Sequence, residues 1–283
     1  MKHASSHEVL LDGLSFPECP RWREGHLWFS EKRARRILKM DQSGRHETIL
    51  QMDDEPGGIG WLPDGRLLVV AQIGRRLMRL DPDGLHQVAD LTGLTAGKCN
   101  DMVVDSRGRA YVGHFGFDMR RGESPRPASL VLVTPEGEAG VAAEGLSLPN
   151  GCELTHDERT LIVAESGLSR LTAFDVADDG TLSGRRTFAE LGETAVDGIC
   201  LDAEGAVWVA DPRALEIVRV REGGEVLEKI AAERPPFACV LGGSDGRSLF
   251  LCTDDFAAPL QQTPTGAGRV EVITVDVPAA TAP

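Results

Sequence analysis

Several features that mark common protein classes are missing from this sequence. It contains no H-E-x-x-H zinc motif, no phosphate-binding P-loop and no dinucleotide-binding fingerprint. It has no run of eighteen apolar residues, and therefore no transmembrane helix is expected. The opening residues MKHASSHEVL include no apolar segment typical of a signal peptide. We therefore expect a cytoplasmic protein.

Basic residues are scarce relative to acidic ones. There are 30 Lys and Arg residues against 44 Asp and Glu residues, which gives a formal net charge of −14. Nucleic acids and anionic membrane surfaces are bound by basic patches, so neither partner is expected. The six cysteines include no C-x-x-C pair and lie mostly in apolar runs. They are interpreted as reduced, buried thiols rather than zinc ligands, although Cys19, Cys99 and Cys152 lie within two residues of the candidate ligands described below.

The chain is rich in turn-forming residues and in short alternating strands. Its 32 glycines and 16 prolines are spread along 283 residues, which favours an all-β fold. Six copies of a strand, a short polar break and an alternating strand recur with a period of roughly 40–50 residues, the size of one four-stranded propeller blade. The sequence therefore predicts a six-bladed β-propeller formed as a single domain by residues 1–283, with a β-sandwich as the alternative. The segment His7–Leu11 is predicted to join the last blade beside RVEVITVDV and so close the ring.

Four residues with oxygen-bearing side chains occupy equivalent places in this repeat: Glu18, Asn100, Asn150 and Asp197. Each starts a short apolar run that would form the innermost strand of its blade, and the innermost strands of a propeller start at one mouth. Four such groups gathered at one place would be costly unless a cation neutralised them. The sequence therefore predicts a central site for one divalent ion: Ca²⁺, Mn²⁺ or Mg²⁺ suit the all-oxygen donor set, and Zn²⁺ or Fe²⁺ are also acceptable. The alternative is that Asn-Asp, Asn-Gly and Asp-Gly simply form turns.

These motifs also resemble those of a known family. Glu18 lies in P-E-C-P, Asn100 in N-D, Asn150 in P-N-G and Asp197 in D-G, and this ordered set is similar to that of the SMP-30/gluconolactonase (regucalcin-like) propellers. The resemblance implies that these four positions bind a divalent metal and that Asp197 is the catalytic base. A metal that polarises a carbonyl, with a carboxylate that accepts the proton of the attacking water, is sufficient for hydrolysis of a lactone or ester.

The resemblance further implies substrate-binding positions. Family members often place an Arg two residues before the Asn100 position and a Glu eighteen residues after it, and here these are Lys98 and Asp118. Asn100 itself is also expected to contact the substrate. Lysine lacks the planar donor fork of arginine, and Phe115 and Phe117 add aromatic surface. These differences favour a less polar lactone or ester over a sugar acid.

Other polar residues near the predicted mouth have two interpretations. His114 is predicted to be an acid, a base or a substrate donor, with a packed histidine as the alternative. Glu165 and Asp211 end the second strands of their blades and could line the same mouth. The basic run Lys32–Arg36 is interpreted as a solvated turn, and the irregular stretch Met119–Ala128 as an insertion in the third blade and a candidate lid.

The predicted function is therefore that of a divalent-metal-dependent hydrolase of the lactonase type, with a small-molecule lactone or ester as its substrate. An arylesterase or phosphotriesterase is the nearest alternative, followed by a lyase or isomerase that uses the same metal to stabilise an enolate. Outside enzymes, the alternative is a metal-binding propeller that docks a partner without catalysis. We expect a monomer, because a closed propeller needs no partner to cover its sheet edges.

Overall fold

The computed structural model describes residues 7–118, 121–255 and 266–280, and the elements of this part of the chain are β-strands. They form six four-stranded antiparallel sheets, here called blades 1 to 6. Blade 1 comprises β2 (Pro17–Arg23), β3 (His26–Glu31), β4 (Arg36–Met40) and β5 (His46–Gln51). Blade 2 comprises β6 (Pro56–Trp61), β7 (Leu67–Ala71), β8 (Arg76–Asp81) and β9 (Gly84–Asp90). Blade 3 comprises β10 (Cys99–Val104), β11 (Ala110–His114), β12 (Ala128–Val133) and β13 (Ala139–Leu146). Blade 4 comprises β14 (Pro149–Leu154), β15 (Thr160–Glu165), β16 (Arg170–Val176) and β17 (Leu182–Glu190). Blade 5 comprises β18 (Ile199–Leu201), β19 (Val207–Asp211), β20 (Glu216–Val220) and β21 (Val226–Ala231). Blade 6 comprises β22 (Pro236–Gly242), β23 (Ser248–Thr253), β24 (Gly268–Thr274) and β1 (Glu8–Leu14).

One strand from each blade, called the inner strand, lies at the axis of the ring. The inner strands β2, β6, β10, β14, β18 and β22 contact one another in this order, and β22 contacts β2 again. The predicted six-bladed β-propeller is therefore confirmed, and the β-sandwich alternative is wrong.

The ring is closed by pairing distant parts of the chain. β1 lies antiparallel to β24, with Glu8 opposite Val272 and Val9 opposite Glu271. This confirms the prediction that the segment His7–Leu11 joins the last blade. The pairing gives β24 a hydrogen-bonded neighbour on each side, so blade 6 is completed by a strand that precedes blade 1 in the sequence.

Apolar side chains packed between neighbouring sheets hold the blades together. Ile162 of β15 packs in one cluster with Val209 of β19, and Trp208 of β19 packs in another with Leu249 of β23. Because successive side chains of a strand point to opposite faces, Trp208 and Val209 serve the two interfaces of blade 5. Burial of this apolar surface, at about 25 cal/mol per Å², is the main term that favours the fold.

Most inner strands are irregular near the point where they begin. In five of the six, the register with the second strand shifts within the first residues, at Glu18–Arg21, Pro56–Ile59, Cys99–Met102, Pro149–Cys152 and Pro236–Ala238. Cys19, inside the first of these shifts, has a positive φ of 50°. β-Bulges of this kind change the direction of a side chain and are common beside functional sites.

Glycines follow two of the four candidate ligands, Asn150 and Asp197, where the inner strands approach one another closely. A Cβ atom on Gly151 would lie 2.6 Å from the backbone nitrogen of Ile199, and one on Gly198 would lie 2.6 Å from Cα of Ala238. Only glycine fits such an approach. Asn150-Gly151 and Asp197-Gly198 are therefore positions of close packing between inner strands rather than isolated turns.

Gly151→Ala should lower the free energy of unfolding by about 1–3 kcal/mol, because the added methyl group overlaps the backbone of the neighbouring inner strand. Urea denaturation followed by tryptophan fluorescence measures this quantity. Gly93→Ala is the matched control, since no atom lies within 4 Å of its Cβ position. Equal stability of the two variants would contradict the close approach of β14 and β18.

Charged side chains fill the axis at the far ends of the inner strands. Arg21 Nη2 donates hydrogen bonds to Asp101 Oδ1 at 2.9 Å and to the carbonyl oxygen of Met102 at 2.5 Å. Burial raises the pKa of Glu153 to about 7, with Arg21 opposing the shift and Asp101 adding to it. Arg21 therefore links β2 to β10 across the axis, and its charge acts on Glu153 of β14.

The insertion predicted in the third blade lies between β11 and β12. Its described residues 121–127 form no strand, and Arg126 pairs with Glu123 at 2.7 Å. Met119 and Arg120 of the candidate lid lie outside the described residues, and the lid remains a prediction.

No helix in the described part of the chain is long and apolar enough to cross a membrane.

Candidate metal centre

The four predicted ligand residues come together at one end of the inner strands. Glu18, Asn100, Asn150 and Asp197 all line a cavity of about 350 Å³, which we call the axial cavity. The first three lie within the first two residues of β2, β10 and β14, and Asp197 lies two residues before β18. Their equivalence in the repeat therefore corresponds to proximity in the fold, and the alternative in which they form isolated turns is wrong.

A chain of hydrogen bonds fixes the amide side chains of this cavity. Gln72 Nε2 donates to Asn100 Oδ1 at 3.3 Å, and Asn100 Nδ2 donates to Asn150 Oδ1 at 2.9 Å. Asn150 Nδ2 donates to Ser166 Oγ at 3.2 Å, and this hydroxyl donates to the carbonyl oxygen of Val196 at 2.6 Å. An amide oxygen has two lone pairs, so Asn100 and Asn150 can each accept such a bond and still coordinate a cation.

The two carboxylates of the axial cavity differ in their partners. Glu18 Oε1 accepts a hydrogen bond from Lys32 Nζ at 3.1 Å, and Glu18 Oε2 accepts one from the Cys19 amide at 3.1 Å. Asp197 Oδ1 is buried and has no hydrogen-bond partner among the described residues. Burial, and then the charge of Glu18, raise the pKa of Asp197 well above its usual range, while Lys32 and a hydrogen bond from Asn150 oppose the shift.

This donor set fits a divalent cation. A buried acceptor without a partner is unfavourable, and a cation beside Asp197 Oδ1 would satisfy that oxygen and hold both carboxylates in their ionised form. Two carboxylates and two amide oxygens are hard ligands of the kind that Ca²⁺, Mn²⁺ and Mg²⁺ prefer. Lys32, which pairs with Glu18 at 3.1 Å, opposes a cation at this position.

The cysteines near this site are buried free thiols, as predicted. Burial is the main cause that raises the pKa of Cys19 and Cys152 well above the usual value. Cys19 Sγ lies 4.0 Å from Glu18 Oε2. A neutral thiol is a poor ligand for hard cations, so the oxygen atoms define the site.

Apolar side chains form most of the remaining wall of the axial cavity. The rings of Phe16 and Phe237 pack against each other at an angle of 49°, with centroids 4.8 Å apart. Phe115, Leu148 and Pro212 also line the cavity. Lys98, a predicted substrate contact, lies at the same wall with Nζ 5.0 Å above the Phe115 ring and 3.7 Å from Glu55 Oε2. The predicted contact Asp118 lines an adjoining cavity of about 320 Å³, which shares Lys98 and Phe115 with the first.

His114 is placed differently from the other predicted site residues. It is 2% exposed, its Nε2 lies 2.9 Å from Ser129 Oγ, and its Nδ1 accepts a hydrogen bond from the Gly116 amide at 3.0 Å. Burial lowers its pKa to about 4, so the ring is neutral at neutral pH. It is not among the residues that line the axial cavity, and this position favours the packed-histidine alternative.

Of a second ring of cavity residues, sequence reasoning placed only Phe115 near the substrate and missed the other three. Lys32, Phe115, Ser166 and Pro212 each directly follow the second strand of a blade, and all four line the axial cavity. A single repeat-register rule, the residue after the second strand, would have found them. The basic run Lys32–Arg36 does form a turn. Lys32 itself is only 6% exposed, so the interpretation of the run as solvated is wrong for this residue.

The last residues of the same second strands point elsewhere. Glu165 accepts a hydrogen bond from the Ser147 amide at 2.8 Å and pairs with Arg170 at 2.9 Å. Asp211 Oδ1 accepts hydrogen bonds from the Arg213 and Ala214 amides, both at 3.0 Å. Neither side chain lines the axial cavity, because one step along a strand reverses the direction of the side chain.

A pattern that resembles a serine-hydrolase motif lies far from this cavity. The sequence Gly242–Gly246 matches G-x-S-x-G, but it forms the tight connection between β22 and β23, and Ser244 is exposed. A nucleophile elbow requires a turn from a strand into a helix. The match is therefore a hairpin turn at the opposite end of an inner strand.

The molecule is thus a six-bladed β-propeller whose axial cavity brings together two carboxylates and two amide side chains. The family described as "SMP-30/Gluconolactonase/LRE-like region" matches residues 16–255. The chain belongs to this family, as its motifs indicated.

Curated relatives match over most of their length. The chain is 27% identical over 241 residues to the 6-deoxy-6-sulfogluconolactonase of Pseudomonas putida, and the aligned region covers 83% of this chain and 81% of that protein. It is 24% identical over 284 residues to human regucalcin (Homo sapiens), which covers 95% and 94% of the two chains.

Solved structures show the same fold. A gluconolactonase from Xanthomonas campestris superposes with a TM-score of 0.78 at 24% identity, over 97% of this chain and 90% of that one. A calcium-binding protein, regucalcin, from Agrobacterium tumefaciens superposes with a TM-score of 0.82 at 19% identity, over 99% and 97%.

Proposed function

We propose that this protein is a divalent-metal-dependent hydrolase of the lactonase type. The observation that carries the proposal is the convergence of Glu18, Asn100, Asn150 and Asp197 on one cavity. In the part of the chain that the structure describes, a buried oxygen of Asp197 has no partner there. Family membership supports a lactonase-type activity, since a gluconolactonase and a sulfogluconolactonase are among the similar proteins. The calcium-binding relative supports a divalent ion.

The residues of the axial cavity divide the chemistry between them. A bound divalent ion would polarise the substrate carbonyl and lower the pKa of water. Asp197 accepts a proton from the attacking water, because it is the carboxylate with a free acceptor oxygen. Asn100 and Asn150 are held in place by the amide chain, so their oxygens need no reorganisation. Ser166 orients Asn150 rather than acting as a nucleophile, since its hydroxyl hydrogen is donated to Val196 O.

The walls indicate the kind of substrate. A volume of about 350 Å³ is in the usual range for a small-molecule site. Phe16, Phe115 and Phe237 present aromatic surface, with the cations of Arg33 over Phe16 and Lys98 over Phe115. These walls suit a lactone with an apolar body better than a sugar acid. The same aromatic surface favours an aryl ester as the second candidate substrate.

Ion binding tests the proposal directly. After treatment with a chelator, the wild-type protein should bind one divalent ion in a calorimetric titration with Ca²⁺ or Mn²⁺. Loss of a residue that only hydrogen-bonds a metal ligand typically weakens ion binding ~10–100-fold. Glu18→Gln removes a charged ligand itself, so it should weaken the binding by more than this. Glu24→Gln is the control, since Glu24 is 76% exposed in the same blade and lies outside the cavity.

A panel of lactones, aryl esters and phosphotriesters completes this test on the same samples. Ion-dependent turnover of a lactone supports the proposal, and preferential turnover of an aryl ester or phosphotriester selects the second candidate. Ion binding with no turnover in the panel would point to a lyase, an isomerase or a binding role. Absence of ion binding would overturn the proposal.

A further inference from the structure

Lys32 is a buried cation at the ligand end of the axial cavity. Its side chain is 8% exposed, its Nζ lies 3.1 Å from Glu18 Oε1, and it lines the same cavity as Asp197. The turn that carries it is anchored, because the Lys32 amide donates a hydrogen bond to the carbonyl oxygen of Phe16 at 3.1 Å. The ammonium therefore belongs to the floor of the cavity and not to its solvated rim.

The charges at this floor do not balance once a divalent ion is bound. The three charged groups at the ligands themselves, Glu18, Asp197 and Lys32, sum to a charge of −1, and the other charged residues that line the cavity, Glu55, Arg33, Lys98 and Arg213, add +2. A divalent ion changes the charge of the first three groups from −1 to +1. Buried charge is unfavourable unless it is compensated, so the ion-loaded cavity is complementary to one additional negative charge.

The reaction under "Proposed function" produces one such charge, and the inference rests on that function. The oxygen of water bonds to the carbonyl carbon of the lactone, and the bond from this carbon to the ring oxygen breaks. The ring oxygen takes one proton and becomes a hydroxyl group, and the second proton leaves the new carboxylic acid. The product in the cavity is therefore a hydroxy-carboxylate with a single negative charge.

We propose that Lys32 is an anion-binding residue of this active site. When the ion occupies Glu18, the Lys32 ammonium turns from that carboxylate to the acyl oxygen of the substrate and then to the product carboxylate. Two consequences follow from the geometry: Lys32 competes with the ion for Glu18, and the ion and a carboxylate ligand bind cooperatively. A purely structural role, in which Lys32 only holds Glu18, would affect stability but would not couple the two ligands.

Calorimetry on the chelator-treated, full-length chain tests this proposal, with Mn²⁺ and 4-hydroxyoctanoate as probes. The neutral amide of the same acid controls for apolar contacts. In the wild type, the carboxylate should tighten Mn²⁺ binding about tenfold, and by reciprocity Mn²⁺ should tighten carboxylate binding by the same factor. The amide should produce no such coupling.

Lys32→Met should bind Mn²⁺ alone about tenfold more tightly, because the ion no longer competes with an ammonium, and it should lose the coupling to the carboxylate. Lys32→Gln serves as a second variant, since it keeps a neutral hydrogen-bond donor for Glu18. It provides the same test if Lys32→Met does not fold. Lys229→Met is the matched control: Lys229 is 53% exposed and pairs with Glu216 at 2.5 Å on blade 5. It should behave as the wild type in both titrations.

The outcomes separate this inference from the proposed function. Absence of Mn²⁺ binding to the wild type would overturn the metal centre and the role of Lys32 together. Normal Mn²⁺ binding without coupling to the carboxylate, or Lys32 variants with wild-type affinity and coupling, would overturn the role of Lys32 alone.

Discussion

Asp197→Asn should reduce turnover of the best substrate by about 10²–10⁴-fold, which is the usual contribution of a general base. The amide has nearly the shape of the carboxylate, but it cannot take a proton from water. It also removes one of the two negative charges that face the cation. The rate constant kcat of the ion-saturated variant is the decisive quantity, because saturation separates loss of the base from loss of the ion.

The control for this variant lies on the same inner strand. Asp202 is a buried carboxylate just beyond the other end of β18, where it pairs with Arg219 at 2.6 Å and lies outside the axial cavity. Asp202→Asn removes an equal buried charge, so it should lower the melting temperature while kcat stays within a factor of about two to three of wild type, as expected for a residue outside the chemistry. An Asp197→Asn enzyme with the kcat of Asp202→Asn would show that the base is another group.

Arg21→Met should lower the free energy of unfolding by about 3–5 kcal/mol, since breaking a buried ion pair leaves an uncompensated charge. Arg21 is 15% exposed and its partner Asp101 is 7% exposed. Equilibrium urea denaturation measures the loss. Arg23→Met is the control in the same strand, because Arg23 is 30% exposed and its partner Glu24 is largely in solvent. Its loss should be below about 1 kcal/mol.

The loss in Arg21→Met should also increase with pH. The pKa of Glu153 in the folded protein is raised to about 7, so below that pH the side chain is protonated and needs no counter-charge. Above it, Glu153 is ionised in both states and its folded form depends on Arg21. The stability difference from wild type should therefore be larger at pH 8.5 than at pH 6. A loss equal to that of Arg23→Met, or one that does not increase with pH, would contradict this account of the axis.

The fold and the four axial residues could be predicted because both depend on repetition. Alternating apolar residues specify strands, and six similar copies specify a ring. Glu18, Asn100, Asn150 and Asp197 occupy one register position, and equivalent positions in a ring lie at equivalent distances from its axis. This inference needs no knowledge of side-chain packing.

The remaining cavity residues could not be predicted because their direction depends on single-residue steps. Ser166 faces the cavity and Glu165 does not, although they are neighbours. Lys32 opens a run of basic residues that is typical of an exposed turn, and only the position of Glu18 on the adjacent strand explains its burial. His114 precedes a residue that lines the cavity, yet its ring packs against Ser129.

The pairing of β1 with β24 has a consequence for biosynthesis. Residue 8 is synthesised long before its partner Val272. Translation adds about 5–20 residues per second, so β1 has been made roughly 10–50 seconds before its partner strand β24 is available for pairing. Blades 1, 3, 4 and 5 supply the four axial side chains, so the site of the nascent chain is unfinished at least until Asp197 has been made. The site becomes complete only when the chain has been released far enough for its two distant strands to meet.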